Sequence, residues 1–223
     1  MVAANPMEFA AFRGSERVAC AVDWARRTRV GPNEMLLVTN GAGTKRASAA
    51  VDAALTNFAA EAIVSTGFCG ALAPELGIAD VVAATIVTDG ARRFDTRPPA
   101  SSRPHHTGVV LTIDHVAGKA SEKVRLRAMG GTAVEMEAAG VASRAEARRI
   151  PFYCVRVVTD LAGEDLSNDF NQALREDGHF ATMSILKGTL QKPLVRLPEL
   201  LRLRRRCASA ARVLGEFIAD CRF

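Results

Sequence analysis

Aromatic residues are scarce in this sequence, since Phe, Tyr and Trp together make up 5% of its 223 residues. Glycine and proline are also few, with 17 and 9 copies. This composition argues against a disordered chain, a collagen-like repeat and a β-rich lectin. The hydrophobic share of 48% and the charged share of 24% are ordinary for one soluble globular domain.

Other absences narrow the class of protein further. No apolar run approaches the ~18 residues of a membrane-spanning helix. The first residues lack the basic and long apolar regions of a signal peptide, so we expect a cytoplasmic protein. The five cysteines are odd in number and form no C-x-x-C pair, which predicts free thiols. The four histidines form no H-x-x-x-H pair, and we expect neither a metal nor a cofactor.

The positive charge is confined to one end of the chain. Residues 1–187 carry 21 basic and 21 acidic side chains, whereas residues 188–223 carry eight basic and three acidic ones. A neutral body argues against nucleic acid as a partner, and the basic tail predicts a local electrostatic contact.

The tail also has a helical pattern. One apolar stripe recurs at helical spacing, and the arginines occupy other positions; the stripe consists of Leu200, Leu203, Cys207, Ala211, Leu214 and Ile218. Such a basic amphipathic helix can lie on an anionic membrane. It can equally pack on the protein body or on a second subunit, and both alternatives stay open.

Apolar runs typical of buried strands alternate with helical patterns. The predicted strands are 35–39, 62–66, 81–87, 109–113, 133–136 and 152–159, and the predicted helices are 44–60 and 138–149. This alternation indicates an α/β fold, a single three-layer αβα domain, with the sheet covered on both faces. We expect this domain over residues 1–187, with residues 188–223 as a helix packed on it or extending from it. Residues 89–107 are expected to form a surface loop.

Ligands of α/β sheets collect at the carboxyl ends of strands, so the polar residues there are site candidates. Gly41-Ala-Gly43 precedes a helix and could bind an anion or a sugar, or simply form a tight turn. It matches neither a P-loop nor the dinucleotide-binding pattern.

Three carboxylates also follow strands. Glu135 and Glu137 could together accept hydrogen bonds from vicinal hydroxyls such as those of ribose. The alternative is that Glu137 caps the next helix while Glu135 is solvated. Asp160 ends a buried strand, where desolvation raises the pKa of a carboxyl group and makes it a candidate proton donor. It could instead cap the next turn.

These segments occur in the order typical of one enzyme family. They are GAGTK at 41–45, TGFCGAL at 66–72 with GIADVV at 77–82, AVEMEAA at 133–139 and IPFYCVRVVTD at 150–160. They resemble motifs of the nucleoside phosphorylase / methylthioadenosine–S-adenosylhomocysteine nucleosidase superfamily, over roughly residues 2–187. The resemblance implies a nucleoside phosphorylase-like fold with a mixed central sheet and cleavage of a purine N-glycosidic bond. We expect an adenine nucleoside as ligand and a homo-oligomer.

The resemblance implies a role for each matching residue. Asp160 would protonate the departing base at N7, with Thr159 beside it, and Glu8 would orient the attacking water. Glu137 and Met136 would hold the ribose, with Glu135 nearby. Phe170 would flank the 5′ substituent.

Departures from the family pattern bear on specificity. Phe68, after Gly67, replaces a serine that helps to hold phosphate in phosphorylases, which favours water as the nucleophile. In the base-stacking segment Asp114 is retained, but Val116 replaces an aromatic residue. These departures and the Arg-rich tail resemble the hopanoid-biosynthesis-associated branch, which implies conversion of adenosylhopane to ribosylhopane and adenine. The alternatives are a phosphate-dependent phosphorylase, a methylthioadenosine/S-adenosylhomocysteine nucleosidase and a non-catalytic nucleoside-binding protein.

Overall fold

The computed structural model describes the chain except for residues 13, 31–32, 176, 182 and 184–188 and the side chain of Asn57. The described strands are β1 (Val2–Ala3), β2 (Glu16–Arg17), β3 (Trp24–Val30), β4 (Asn33–Thr39), β5 (Ile63–Ala71), β6 (Val81–Thr88), β7 (Arg93–Asp95), β8 (His106–Thr112), β9 (Ala133–Glu135) and β10 (Phe152–Asp160). The described helices are α1 (Thr44–Asn57), α2 (Ala120–Ala128), α3 (Ala138–Arg148), α4 (Phe170–Ala173) and α5 (Pro193–Asp220), with a 3₁₀ helix at Pro6–Phe9.

All strands join one mixed sheet, which confirms the predicted fold class. From β5 the sheet continues through β1, which is parallel to β5, and β4, which is parallel to β1. It ends with β3, antiparallel to β4, and β2, antiparallel to β3. On the other side β10 pairs with β5 in parallel and with β6 in antiparallel orientation. The pairings β6–β8, β8–β9 and β9–β5 then close these five strands into a ring.

Both faces of the sheet are covered, because successive strand residues point to opposite sides. Along β4, Leu36 and Val38 pack in a core shared with α1 and α3. Met35 and Leu37 pack instead in a second core with the 3₁₀ helix and α5. The result is the predicted order of helix, sheet and helix layers.

The structure revises one prediction and decides one alternative that the sequence left open. The stretch predicted as a loop, 89–107, contains β7, which pairs antiparallel with β6, and the start of β8. The apolar stripe of the tail faces the body, since Ala211, Leu214 and Ile218 are buried in the second core. In the described part of the chain no helix is both long and apolar enough to cross a membrane.

Candidate active site

A cavity of about 340 Å³ lies where β5, β9 and β10 reach their carboxyl ends. Most of the predicted site residues line it: Glu8, Phe68, Val116, Glu135, Met136, Glu137, Thr159, Asp160 and Phe170. Four of them are carboxylates, and no Lys or Arg belongs to the lining formed by the described residues. The wall is otherwise largely apolar, so the cavity combines a group of carboxyl side chains with a hydrophobic surface.

Glu8 is fixed by backbone donors on both sides. Its Oε2 atom accepts a hydrogen bond from the Asn5 amide at 2.8 Å, and its Oε1 atom accepts one from the Phe68 amide at 2.7 Å. Burial raises the pKa of this carboxyl above its ordinary value. Gly67 does not line the cavity, but it has a φ of +133° and a Cβ there would collide with the Glu8 carboxylate. Glycine at 67 therefore makes room for Glu8.

Two glutamates lie at the start of α3. One alternative from the sequence was that Glu137 caps this helix while Glu135 is solvated, and the structure contradicts both parts. Glu135 is buried, and its Oε2 atom accepts hydrogen bonds from the amides of Glu137 at 2.9 Å and Ala138 at 2.8 Å. Glu135 therefore satisfies the first amides of α3. Its other oxygen accepts a hydrogen bond from the Thr112 hydroxyl at 2.5 Å. All of this leaves Glu137 free of a capping role.

Glu137 reaches across to the glycine turn. Its Oε1 atom accepts a hydrogen bond from the Gly43 amide at 3.1 Å. The sequence analysis considered this glycine turn as a binding site for an anion or a sugar, but here its amide binds a carboxylate of the protein itself. Burial, together with the nearby charge of Glu135, raises the pKa of Glu137 to about 8. The second oxygen of this carboxyl group lies 3.9 Å from an Arg156 nitrogen.

Arg156 is the cation beneath this cluster, and the sequence analysis did not identify it as a site residue. Its side chain is fully buried and is paired with Glu135. It also donates to the Thr66 carbonyl and to the Ser65 hydroxyl, each at 2.7 Å. The signal was present in the sequence, because an arginine inside an apolar strand has to be paired with an acid.

Asp160 is held by a second buried cation. Lys123, on α2, has a fully buried side chain and donates to Asp160 Oδ2 at 2.5 Å and to the Leu161 carbonyl at 2.8 Å. The Thr159 hydroxyl lies 3.2 Å from the other carboxylate oxygen. Burial raises the pKa of Asp160, and the Lys123 ammonium opposes that rise. The sequence predicted Asp160 but gave no role to Lys123.

The outer part of the cavity is apolar. It is lined by Leu166, Phe170 and Phe180 and by two residues of α5, Leu203 and Cys207. The rings of Phe170 and Phe180 meet edge to face, with centroids 6.2 Å apart. The sequence placed Leu203 and Cys207 on the tail stripe without connecting them to the site, because the docking of a distant helix leaves no local signal.

Asp114, like Gly67, is a predicted site residue that the structure places outside the cavity. Its side chain is 99% exposed and accepts a hydrogen bond from His115 Nδ1 at 2.7 Å. His115, which does line the cavity, also contacts Glu122 through Nε2 at 2.6 Å. The hydrogen bonds to Asp114 and Glu122 raise the pKa of His115. Asp114 thus contacts a residue of the cavity lining without lining the cavity itself.

The family model of the phosphorylase superfamily matches this chain in two overlapping segments, residues 24–104 and 98–187. The chain belongs to the phosphorylase superfamily. Within the superfamily it is similar to curated nucleosidases. It is 23% identical over 187 residues to the aminodeoxyfutalosine nucleosidase of Campylobacter jejuni, covering 70% of this chain and 80% of the relative. It is 25% identical over 193 residues to the 5′-methylthioadenosine/S-adenosylhomocysteine nucleosidase of Aeromonas salmonicida, covering 71% and 82%.

Solved structures of the superfamily share the fold. The Neisseria meningitidis 5′-methylthioadenosine/S-adenosylhomocysteine nucleosidase in complex with methylthio-immucillin-A aligns with a TM-score of 0.70 at 17% identity, over 98% of this chain and 95% of that one. The futalosine hydrolase of Helicobacter pylori aligns with a TM-score of 0.72 at 14% identity, over 98% and 94%. These similarities confirm the phosphorylase-superfamily fold of the chain.

Proposed function

We propose that this superfamily member is a purine nucleosidase that hydrolyses the N-glycosidic bond of a 5′-substituted adenosine. The observation that carries the choice of water over phosphate is the position of Glu8. Its carboxylate takes the Phe68 amide that would otherwise be available to an anion. A phosphate dianion would also lie against the carboxyl groups of Glu8 and Glu137 without a cation in the described lining.

The geometry supports a separate role for each of these side chains in the hydrolysis. Asp160 donates its proton to N7 as the bond between C1′ and N9 breaks, so that adenine leaves as a neutral base. The ammonium of Lys123 stabilises the carboxylate that this transfer creates. Glu8 orients a water molecule and accepts its proton while the water oxygen bonds to C1′. Glu137, with Met136 beside it, binds the two ribose hydroxyls.

For the substrate we propose adenosylhopane, with ribosylhopane and adenine as products. The support is the apolar outer wall of the cavity, where Phe170, Phe180 and Leu203 suit a hydrocarbon substituent at the 5′ position. We propose that the enzyme works in the cytoplasm, at the inner face of the membrane, as a homo-oligomer. Its catalytic domain would comprise residues 1–187 and its C-terminal helix residues 188–223.

A second candidate is hydrolysis of methylthioadenosine or S-adenosylhomocysteine, favoured by the similarity to nucleosidases named for those substrates. Release of adenine from adenosylhopane and from methylthioadenosine, each measured with and without phosphate, separates the candidates. We expect a higher kcat/KM for adenosylhopane and no effect of phosphate. Faster turnover of methylthioadenosine would contradict the lipid substrate, and a strict need for phosphate would make the protein a phosphorylase.

A further inference from the structure

The outward side of α5 exposes large apolar side chains near its beginning. Leu194 is 91% exposed, and Leu197 and Leu201 are each 49% exposed. Their spacing of three and four residues places them on one side of the helix. The other side is buried against the body through residues such as Leu214 and Phe217. The three leucines therefore point away from the core, and we call Leu194, Leu197 and Leu201 with Arg204 and Arg205 the outer face of α5.

The charge of the outer face has one sign. Arg204 and Arg205 are exposed and follow Leu201 by about one helical turn. Between residues 189 and 215 the sequence has a single acidic residue, Glu199. Its side chain is buried and accepts the amides of Ser167 at 2.6 Å and Asn168 at 2.8 Å. Exposed leucines therefore adjoin exposed arginines with no exposed carboxylate between them on this helix.

The helix that carries the outer face also forms part of the cavity wall. Leu203 and Cys207 line the cavity from the inward side of α5. The Arg206 guanidinium, between them, donates to Glu164 at 2.6 Å, and Glu164 lies in the loop that follows β10. These contacts hold α5 in a defined position, so a surface that binds the outer face would lie close to the cavity.

We propose that the outer face of α5 docks on an anionic lipid bilayer. The leucines enter the apolar region of the bilayer while Arg204 and Arg205 contact the phosphates of the headgroups. A second copy of this chain fits less well, because a two-fold interface centred on this face would bring two sets of arginines together with no exposed carboxylate of this part of the helix to pair with them. The proposal deepens the proposed function, since a lipid-linked nucleoside would be met at the same surface, but docking can be measured without turnover.

The test is co-sedimentation of the full-length protein with phosphatidylglycerol–phosphatidylcholine vesicles and with pure phosphatidylcholine vesicles. We expect binding to the anionic vesicles that weakens as salt is added. The variant Leu194→Ser/Leu197→Ser/Leu201→Ser and the variant Arg204→Glu/Arg205→Glu should each bind at least about tenfold more weakly. The matched control is Val124→Ser/Met129→Ser, which replaces two 66% exposed apolar side chains at α2 and should bind like the wild type.

Each other outcome overturns the proposal. Absence of vesicle binding by the wild type, or equal binding by the leucine variant, would do so. A change in oligomeric mass of the leucine variant would assign the outer face to a second copy instead. Hydrolysis of methylthioadenosine in the same samples reports on the proposed function separately, because none of the replaced residues lines the cavity.

Discussion

Replacing Lys123 with methionine tests how the proposed acid is tuned. The ammonium lies 2.5 Å from Asp160 Oδ2; the Lys123 side chain is fully buried, and that of Asp160 is 14% exposed. A hydrogen bond to a charged group contributes about 1.5–3 kcal/mol. Removing the ammonium should therefore cost the Asp160 carboxylate stabilisation of about that size and raise the pKa of Asp160 further.

The sign of the effect follows from the role of Asp160. The acid is active when protonated, so kcat/KM falls as the pH rises through its pKa. In Lys123→Met this alkaline fall should move to higher pH, and the plateau should drop because a weaker acid donates less readily. Of the other groups facing Asp160, Glu164 is paired with Arg206, and burial raises the pKa of the Cys207 thiol to about 12. Neither accounts for such a shift.

The assay is adenine release from methylthioadenosine across pH, with Lys119→Met as the matched control. Lys119 precedes the same helix, but its side chain is 63% exposed and its Nζ atom lies 3.5 Å from Asp165. The control should keep the wild-type profile. Lys123→Gln, which keeps a donor without its charge, should move the fall in the same direction by a smaller amount and serves if the methionine variant is unstable. An unchanged alkaline fall, or one that moves to lower pH, would refute the reasoning.

Three further substitutions test the remaining roles. Asp160→Asn cannot donate the proton and should lose about 10²–10⁴-fold in kcat while the protein stays folded, and activity within about threefold of wild type would contradict its role. Glu137→Gln should lower kcat/KM for a ribonucleoside by about two orders of magnitude through weaker bonds to the hydroxyls. A 2′-deoxy substrate should be much less sensitive, and equal losses on both substrates would show that Glu137 does not bind the sugar. Glu8→Gln should lose most activity in the presence and absence of phosphate alike, whereas full activity would remove Glu8 from the proposed reaction.

Local sequence patterns predicted individual strands well, because the periodicity of apolar residues follows directly from the secondary structure. The apolar runs at 35–39 and 152–159 lie inside β4 and β10, and their alternation divides each strand between the two cores. The ring closure was not predicted. It depends on the pairing of β10 with both β5 and β6, and such a register between distant strands leaves no periodicity in the chain.

The sequence predicted only part of the candidate site, again because contacts between distant segments leave no local pattern. Residues that follow strands, such as Glu137 and Asp160, could be found because strand ends meet at one edge of the sheet. The cations that hold the carboxylates come from elsewhere: Lys123 from a helix and Arg156 from within an apolar strand. The tail stripe was correct as a helical face, but periodicity alone could not tell protein from membrane as its contact.

The origin of the oxygen added at C1′ tests hydrolysis most directly. The wild-type enzyme would turn over a 5′-substituted adenosine in ¹⁸O-labelled water containing phosphate, and the sugar product would be analysed by mass spectrometry. The position of Glu8 predicts a free sugar that carries one ¹⁸O atom, at a rate independent of phosphate. A sugar 1-phosphate without the label, formed only when phosphate is present, would contradict the proposed function.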